Sequence, residues 1–185
     1  MIRSPFRTTL LVATFLPLFL GACSTTSSKI GRLYAELQED VAQHKTGERP
    51  DLELQQRHDR RAAEVREILQ KDQVESTEDR LHAAVLLVET TNLEDLTLAE
   101  KLGREVGAAG DRRGFRVAAE AVDKRLVRRG LPQRYGTQYE WVTVLQQWRL
   151  YPIDPTTTDD ERRSMQVPPL NELYAGEKKM NAGRT

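Results

Sequence analysis

The chain has 185 residues with 28 basic and 28 acidic side chains, a formal net charge of zero. That balance gives no basis for bulk-charge binding to nucleic acid, and a lone cysteine rules out an internal disulfide or a cysteine-cluster metal site. Aromatic residues at 6% beside charged residues at 30% favour a small-core helical protein over a β-sandwich.

The first segment reads as an export leader. Arg3 and Arg7 precede an apolar stretch from Leu10 to Leu20, and no acid comes before Cys23. The stretch is about half the ~20 apolar residues that a spanning helix needs, and Pro17 interrupts it. It ends in Leu20-Gly21-Ala22-Cys23, which resembles the lipobox of bacterial lipoproteins. The resemblance implies that residues 1–22 are a signal peptide and that Cys23 is lipidated. Acyl chains such as palmitate would anchor the protein at about 0.8 kcal/mol per buried methylene. Ser24, where Asp would hold a lipoprotein in the inner membrane, implies the outer membrane facing the periplasm. From Cys23 onward the net charge is about −2, because Arg3 and Arg7 are removed. Residues 23–28 read as the lipidated cysteine and a short tether, reaching at most about 20 Å.

The remainder reads as one all-α domain over 29–178, with a flexible tail at 179–185. The first helix is expected from about Ser28 to His44, with Ile30, Leu33, Tyr34, Leu37 and Val41 at helical spacing. Thr46-Gly47 and Pro50 make a turn. A second helix is expected from about Asp51 to Gln73, with Leu54, Ala62, Val65, Ile68 and Leu69 as its stripe and a solvated charged face. Ser76 reads as the cap of a third helix running to about Thr91, whose all-round apolarity gives it a central place. Asn92 caps a fourth, from about Leu93 to Ala109. Asp111 caps a fifth, from about Arg112 to Arg129, with Phe115, Ala118, Ala119, Val122 and Leu126 on one side. Gly130 closes it, with Pro132 just beyond.

Past Gly130 the chain becomes loop-rich. The segment Tyr139 to Leu150 reads as a packed helix, with a strand as the alternative. Pro152, Asp154 and Pro155 make a loop, Thr158 to Met165 a short helix, and Leu170 to about Lys179 a final helix. The hairpins of small-residue-rich helices resemble tetratricopeptide or Sel1-type units, most closely over Leu98 to Leu126. No second copy recurs at a 34- to 36-residue period.

One stretch is motif-rich: Asp123-Lys124-Arg125-Leu126, then Gly130-Leu131-Pro132-Gln133-Arg134-Tyr135-Gly136-Thr137-Gln138. It resembles an uncharacterised bacterial family marked by a D-R-x-L…G-x-P-Q-x-Y-G-T-Q pattern. That family's D-x-x-H-A-A segment is matched by Asp79, His82, Ala83 and Ala84, but its Gln-His pair is replaced by Val88-Glu89. Its downstream acidic-arginine segment and P-P-L are matched by Asp159, Asp160, Arg162, Arg163 and Pro168-Pro169-Leu170. The resemblance spans roughly Leu52 to Tyr174 and implies kinship without an assigned activity.

Eight residues follow as a candidate ligand-binding set: Asp79, His82, Glu89, Asp123, Gln133, Tyr135, Thr137 and Gln138. On a helix, His82 would lie between Asp79 and Glu89. Asp123 would meet the loop that follows its helix, or form an ion pair with Arg125 or Arg134. Two readings stand. In the weightier one these residues satisfy a buried loop's backbone. In the other they hold a polar ligand such as a peptide or glycan fragment. Catalytic motifs, a phosphate loop and metal-spaced histidines are missing from the sequence, and no cofactor is expected. The expected function is therefore a lipid-anchored, non-enzymatic helical module at the periplasmic face, with an envelope protein as partner and no nucleic acid. The alternative is a small-ligand binder or hydrolase using the His82/Asp123/Gln133–Gln138 face.

Overall fold

The computed structural model describes residues 23–43, 52–71, 74 and 76–182. The leader read in residues 1–22, the Thr46-Gly47/Pro50 turn and the last three residues of the tail lie outside them. Five helices come first: α1 (Cys23–Gln43), α2 (Leu52–Gln70), α3 (Thr77–Val88), α4 (Leu93–Ala108) and α5 (Arg113–Arg128). Helix α1 starts five residues earlier than its apolar spacing predicts. At 1.5 Å rise per residue, residues 23–28 then span under about 10 Å instead of the 20 Å of an extended tether.

Ile30, Leu33 and Leu37 of α1 meet Ala62, Val65 and Ile68 of α2 and the apolar faces of α3 and α4 in one core. Val41, expected on the same stripe, is exposed. Helix α3 takes the central place that its composition implies, packing against α1, α2, α4 and α5. Its start is capped by Ser76, whose hydroxyl accepts the Asp79 amide at 3.0 Å. Asn92 accepts the Glu94 and Asp95 amides at 2.8 and 3.2 Å and opens α4. Between α4 and α5, Gly110 takes a φ of 105°, its amide bonds Gly107 O and the Asp111 amide bonds Val106 O. This is a Schellman closure that only glycine adopts without strain. The Asp111 carboxylate then accepts the Arg113 amide.

Helix α5 has two apolar faces, and the sequence reading found one. Ala118, Ala119 and Val122, with half-buried Phe115 and Leu126, face a second core made with Tyr135, Leu150, Met165, Val167 and Leu173. Val117 and Ala121 face the first core. One helix thus serves as a shared wall between the bundle and the C-terminal segment.

That segment departs from expectation at Tyr139 to Leu150, which is a hairpin: β1 (Tyr139–Val142) pairs antiparallel with β2 (Gln147–Leu150). Trp141 faces Trp148 across it, with ring centroids 5.6 Å apart. The 143–146 loop ends on Gln146 at a φ of 49°. Two strands alone are marginal, and α7 (Leu170–Asn181) supplies the missing neighbour. Asn181 accepts the Trp148 amide at 2.8 Å and donates to its carbonyl at 2.9 Å, while Glu177 accepts the Leu150 amide at 2.7 Å. Side chains of α7 therefore finish the ladder along β2's free edge. Residues 179–181, expected to be part of a flexible tail, belong to this helix. Between them lies α6 (Asp159–Ser164), opened by a Thr158–Glu161 capping box.

Candidate functional site

The eight candidate residues fall in three places. The first is the loop at 133–138. Helix α5 ends in a second Schellman closure: Gly130 has a φ of 71°, its amide bonds Val127 O and the Leu131 amide bonds Leu126 O. The chain turns back over the Asp123 carboxylate, which is fully buried. One oxygen accepts the Arg134 and Tyr135 amides at 2.7 and 2.9 Å. The other accepts the Gly136 and Thr137 amides and the Thr137 hydroxyl, each at 2.9 Å. Gly136 has a φ of 99°, and a Cβ there would lie 2.4 Å from a Leu173 methyl.

Gln133 is equally buried and equally occupied. It donates to Gln138 O and Tyr151 O at 2.9 and 2.8 Å and accepts the Gln138 amide at 2.8 Å. The Gln138 carboxamide donates to Thr137 Oγ1 at 2.8 Å. Arg162, buried on the other side of the loop, donates to Tyr135 O, Thr157 O and Asp159 at 3.1, 2.9 and 3.0 Å. The loop is thus held between a buried carboxylate and a buried guanidinium, each bonded to its backbone. The expected ion pairs of Asp123 do not form: Arg125 bonds Glu100 and Thr97, and the Arg134 side chain bonds Glu161.

The second place surrounds His82. Its ring stacks on Tyr34 at 3.9 Å and 10°, and its Nε2 lies 3.1 Å from Glu78 rather than from Asp79 or Glu89. Asp79 instead turns to its own cap, accepting the Ser76 hydroxyl at 2.5 Å. Glu89 lies about 10 Å further along the helix axis. No hydrogen bond, ion pair or ring contact among the described residues joins His82 to Asp123 or to the loop.

The third place is a groove of about 490 Å³ that includes Glu89, His58, Thr90, Lys124 and Arg128. Lys124 donates to Val88 O at 2.8 Å and to Glu89 at 3.3 Å. His58 is buried, and its Nε2 has no hydrogen-bond partner among the described residues. Burial pushes the His58 pKa down; the Glu89 carboxylate opposes this, and Arg61 and Lys124 add to it. Glu120, on the adjoining face of α5, is pushed up by burial against the pull of Arg116 and Lys124.

Sequence reasoning gave His58 no role, because it stands too far from His44 and His82 in the chain to suggest a metal site. It also gave no role to Arg162 or to the arginine run Arg112, Arg113 and Arg116. The R-R-G-F-R string was the available signal for the last. No group of three or more metal-binding side chains occurs among the described residues. Comparison with known proteins finds no matching family model, no matching curated protein and no matching solved structure.

Proposed function

We propose that this chain is a lipid-anchored envelope protein, held through Cys23 at the periplasmic face of the membrane, whose helical domain is a non-enzymatic interaction module. In this reading the α3–α5 hairpins pack in the manner of tetratricopeptide or Sel1 units and present helix faces to a partner. The observation that carries the module reading is the occupancy of the motif-rich loop. Asp123 accepts four backbone amides and the Thr137 hydroxyl, Gln133 bonds only backbone, and the Gln138 carboxamide donates to Thr137, so the motif builds the domain. The rival small-ligand reading needed the loop, His82 and Glu89 in one pocket, and they occupy three places. The anchor is supported by the leader and the Leu20-Gly21-Ala22-Cys23 string. No helix among the described residues is long and apolar enough to cross a membrane.

The anchor is tested by Cys23→Ser in the native host. The variant should move from the membrane pellet to the soluble fraction, with helical circular dichroism unchanged. Retention in the pellet overturns the anchor. The module is tested by affinity capture from envelope extracts, and it falls if nothing follows the native domain above a surface-scrambled control.

A further inference from the structure

Where α1, α3 and α5 meet, a groove of about 430 Å³ is lined by Tyr34, Leu81, Val85 and Val117 together with Arg112, Arg113 and Arg116. Three cations in five positions are a local excess in a chain of zero net charge. Their partners differ. Arg113 is engaged by Asp111 at 2.5 Å and Glu78 at 2.6 Å. Among the described residues, Arg116 comes no nearer a carboxylate than 4.0 Å, to Glu120. The Arg112 side chain is exposed and has no ion pair among the described residues. An apolar bed therefore lies beside two guanidinium groups with spare donors. All three arginines sit at the start of α5, whose positive end adds to the attraction for an anion.

We propose that this groove docks an acidic amphipathic segment of a partner protein. One apolar side chain enters the groove against Leu81, Val85 and Val117, and flanking carboxylates take the Arg112 and Arg116 guanidinium groups in forked hydrogen bonds. An apolar bed a few side chains across, with guanidinium groups beside it, matches one apolar side chain flanked by carboxylates, the pattern of an acidic amphipathic chain segment. Two lining groups are already fixed: the Tyr34 ring by its stack on His82, and Arg113 between two carboxylates. Less conformational freedom is then lost on binding. The proposal rests on the module reading in supposing a protein partner, and it is independent of the Cys23 anchor.

The test uses the full-length chain and a fluorescein-labelled synthetic peptide that alternates glutamate with leucine and phenylalanine. A lysine-for-glutamate version serves as control. Fluorescence anisotropy should show saturable binding of the acidic peptide that weakens as salt rises, and no binding of the basic one. Arg112→Glu, which breaks no ion pair, should weaken binding about tenfold, and Arg112→Glu/Arg116→Glu should weaken it further. Circular dichroism and Tm confirm that the single variant is folded. Absence of acidic-peptide binding, equal binding of the basic peptide, or binding insensitive to Arg112→Glu each overturns the proposal. Flotation on phosphatidylglycerol vesicles, comparing native and variant chains, provides the membrane arm. An arginine-dependent loss there without one for the peptide assigns the groove to anionic lipid and also overturns it. Peptide binding is read without any envelope extract, so a failed affinity capture would leave these outcomes untouched, and the groove and the module reading fail separately.

Discussion

Asp123 concentrates five donors on one buried carboxylate, four of them backbone amides. A carboxylate removed from water is tolerated only where hydrogen bonds replace its hydration. Here the replacement is a loop that folds over it. The arrangement makes the side chain an acceptor the loop cannot obtain elsewhere, because residues 134–137 belong to neither helix nor strand. Asp123→Ala would leave those amides buried without acceptors, at about 1–3 kcal/mol for each that water cannot reach. The expected loss is about 3–5 kcal/mol, read from the urea midpoint at unchanged slope. Asp123→Asn should lose less yet still clearly destabilise, since its amide group points a donor at donors. A loss under about 1 kcal/mol in the alanine variant would mean the loop is held from the Arg162 side instead. The sequence placed Asp123 against this loop because the loop follows its helix directly. It did not reveal that amides would be the partners, because that depends on Arg125 and Arg134 being taken by Glu100 and Glu161 from other elements.

At the level of elements, the α4–α5 contact is set by glycine. A Cβ on Gly103 would lie 2.7 Å from Gly114 O and 2.9 Å from Ala118 N, both backbone atoms that yield only if the helices separate. Gly103→Ala gains about 1 kcal/mol in helix propensity, but forcing apart a packed crossing costs about 1–3 kcal/mol. Because the displaced atoms are backbone, a net fall in Tm is expected. Gly31, in α1, has nothing within 4 Å of its added Cβ. Gly31→Ala should therefore raise Tm, and the pair of variants separates packing from propensity by thermal melts alone. If Gly103→Ala also stabilises, the crossing is looser than these distances allow. Most helices were legible at this scale, since their caps and apolar spacings are local: Ser76, Asn92 and Gly130 act as expected. The hairpin was not legible. Trp141, Val144, Leu145 and Trp148 recur at helical spacing, yet Val144 is 93% exposed at the hairpin tip. What makes a hairpin of these residues is Glu177 and Asn181, some thirty positions away, completing the edge of β2. Periodicity within a segment carries no record of such a partner. The second face of α5 escaped for the same reason, because half of it is alanine and its burial depends on what packs there.

For the whole molecule, two cores share α5, so loss of α1–α2 packing is felt through α3 and α5 in the second core as well. The acid response should therefore appear as one cooperative transition whose midpoint moves with pH, and the groups that move it include His58, in the groove beside Glu89 and Lys124, Asp40, between α1 and α2, and Glu120 on α5. His58 has its folded pKa below its ordinary 6.5, chiefly through burial. The unfolded chain takes up a proton near 6.5 and the folded one does not. Below that pH the unfolded state binds more protons, and stability falls as pH drops towards the folded value. Burial pushes Asp40 up, but Arg61 and Arg57 outweigh it and hold its carboxyl below 3.8. Its contribution is present above 3.8 and is lost as pH falls through the lower folded value. Glu120, pushed up from 4.5, acts in the opposite sense: what it contributes at low pH is lost as pH rises through its folded value. It cushions part of the acid loss. Thermal melts from pH 7 downward should therefore show a first decline in Tm beginning near pH 6.5 and a second below about pH 4. His58→Gln should remove the first and leave the second, and Asp40→Asn should shrink the second and leave the first. Glu120→Gln should raise Tm at neutral pH, with its advantage shrinking on acidification. A native profile flat between pH 7 and 5, or one that His58→Gln leaves unchanged, would show that the buried imidazole carries no proton linkage and that the fold senses acid only through its carboxylates.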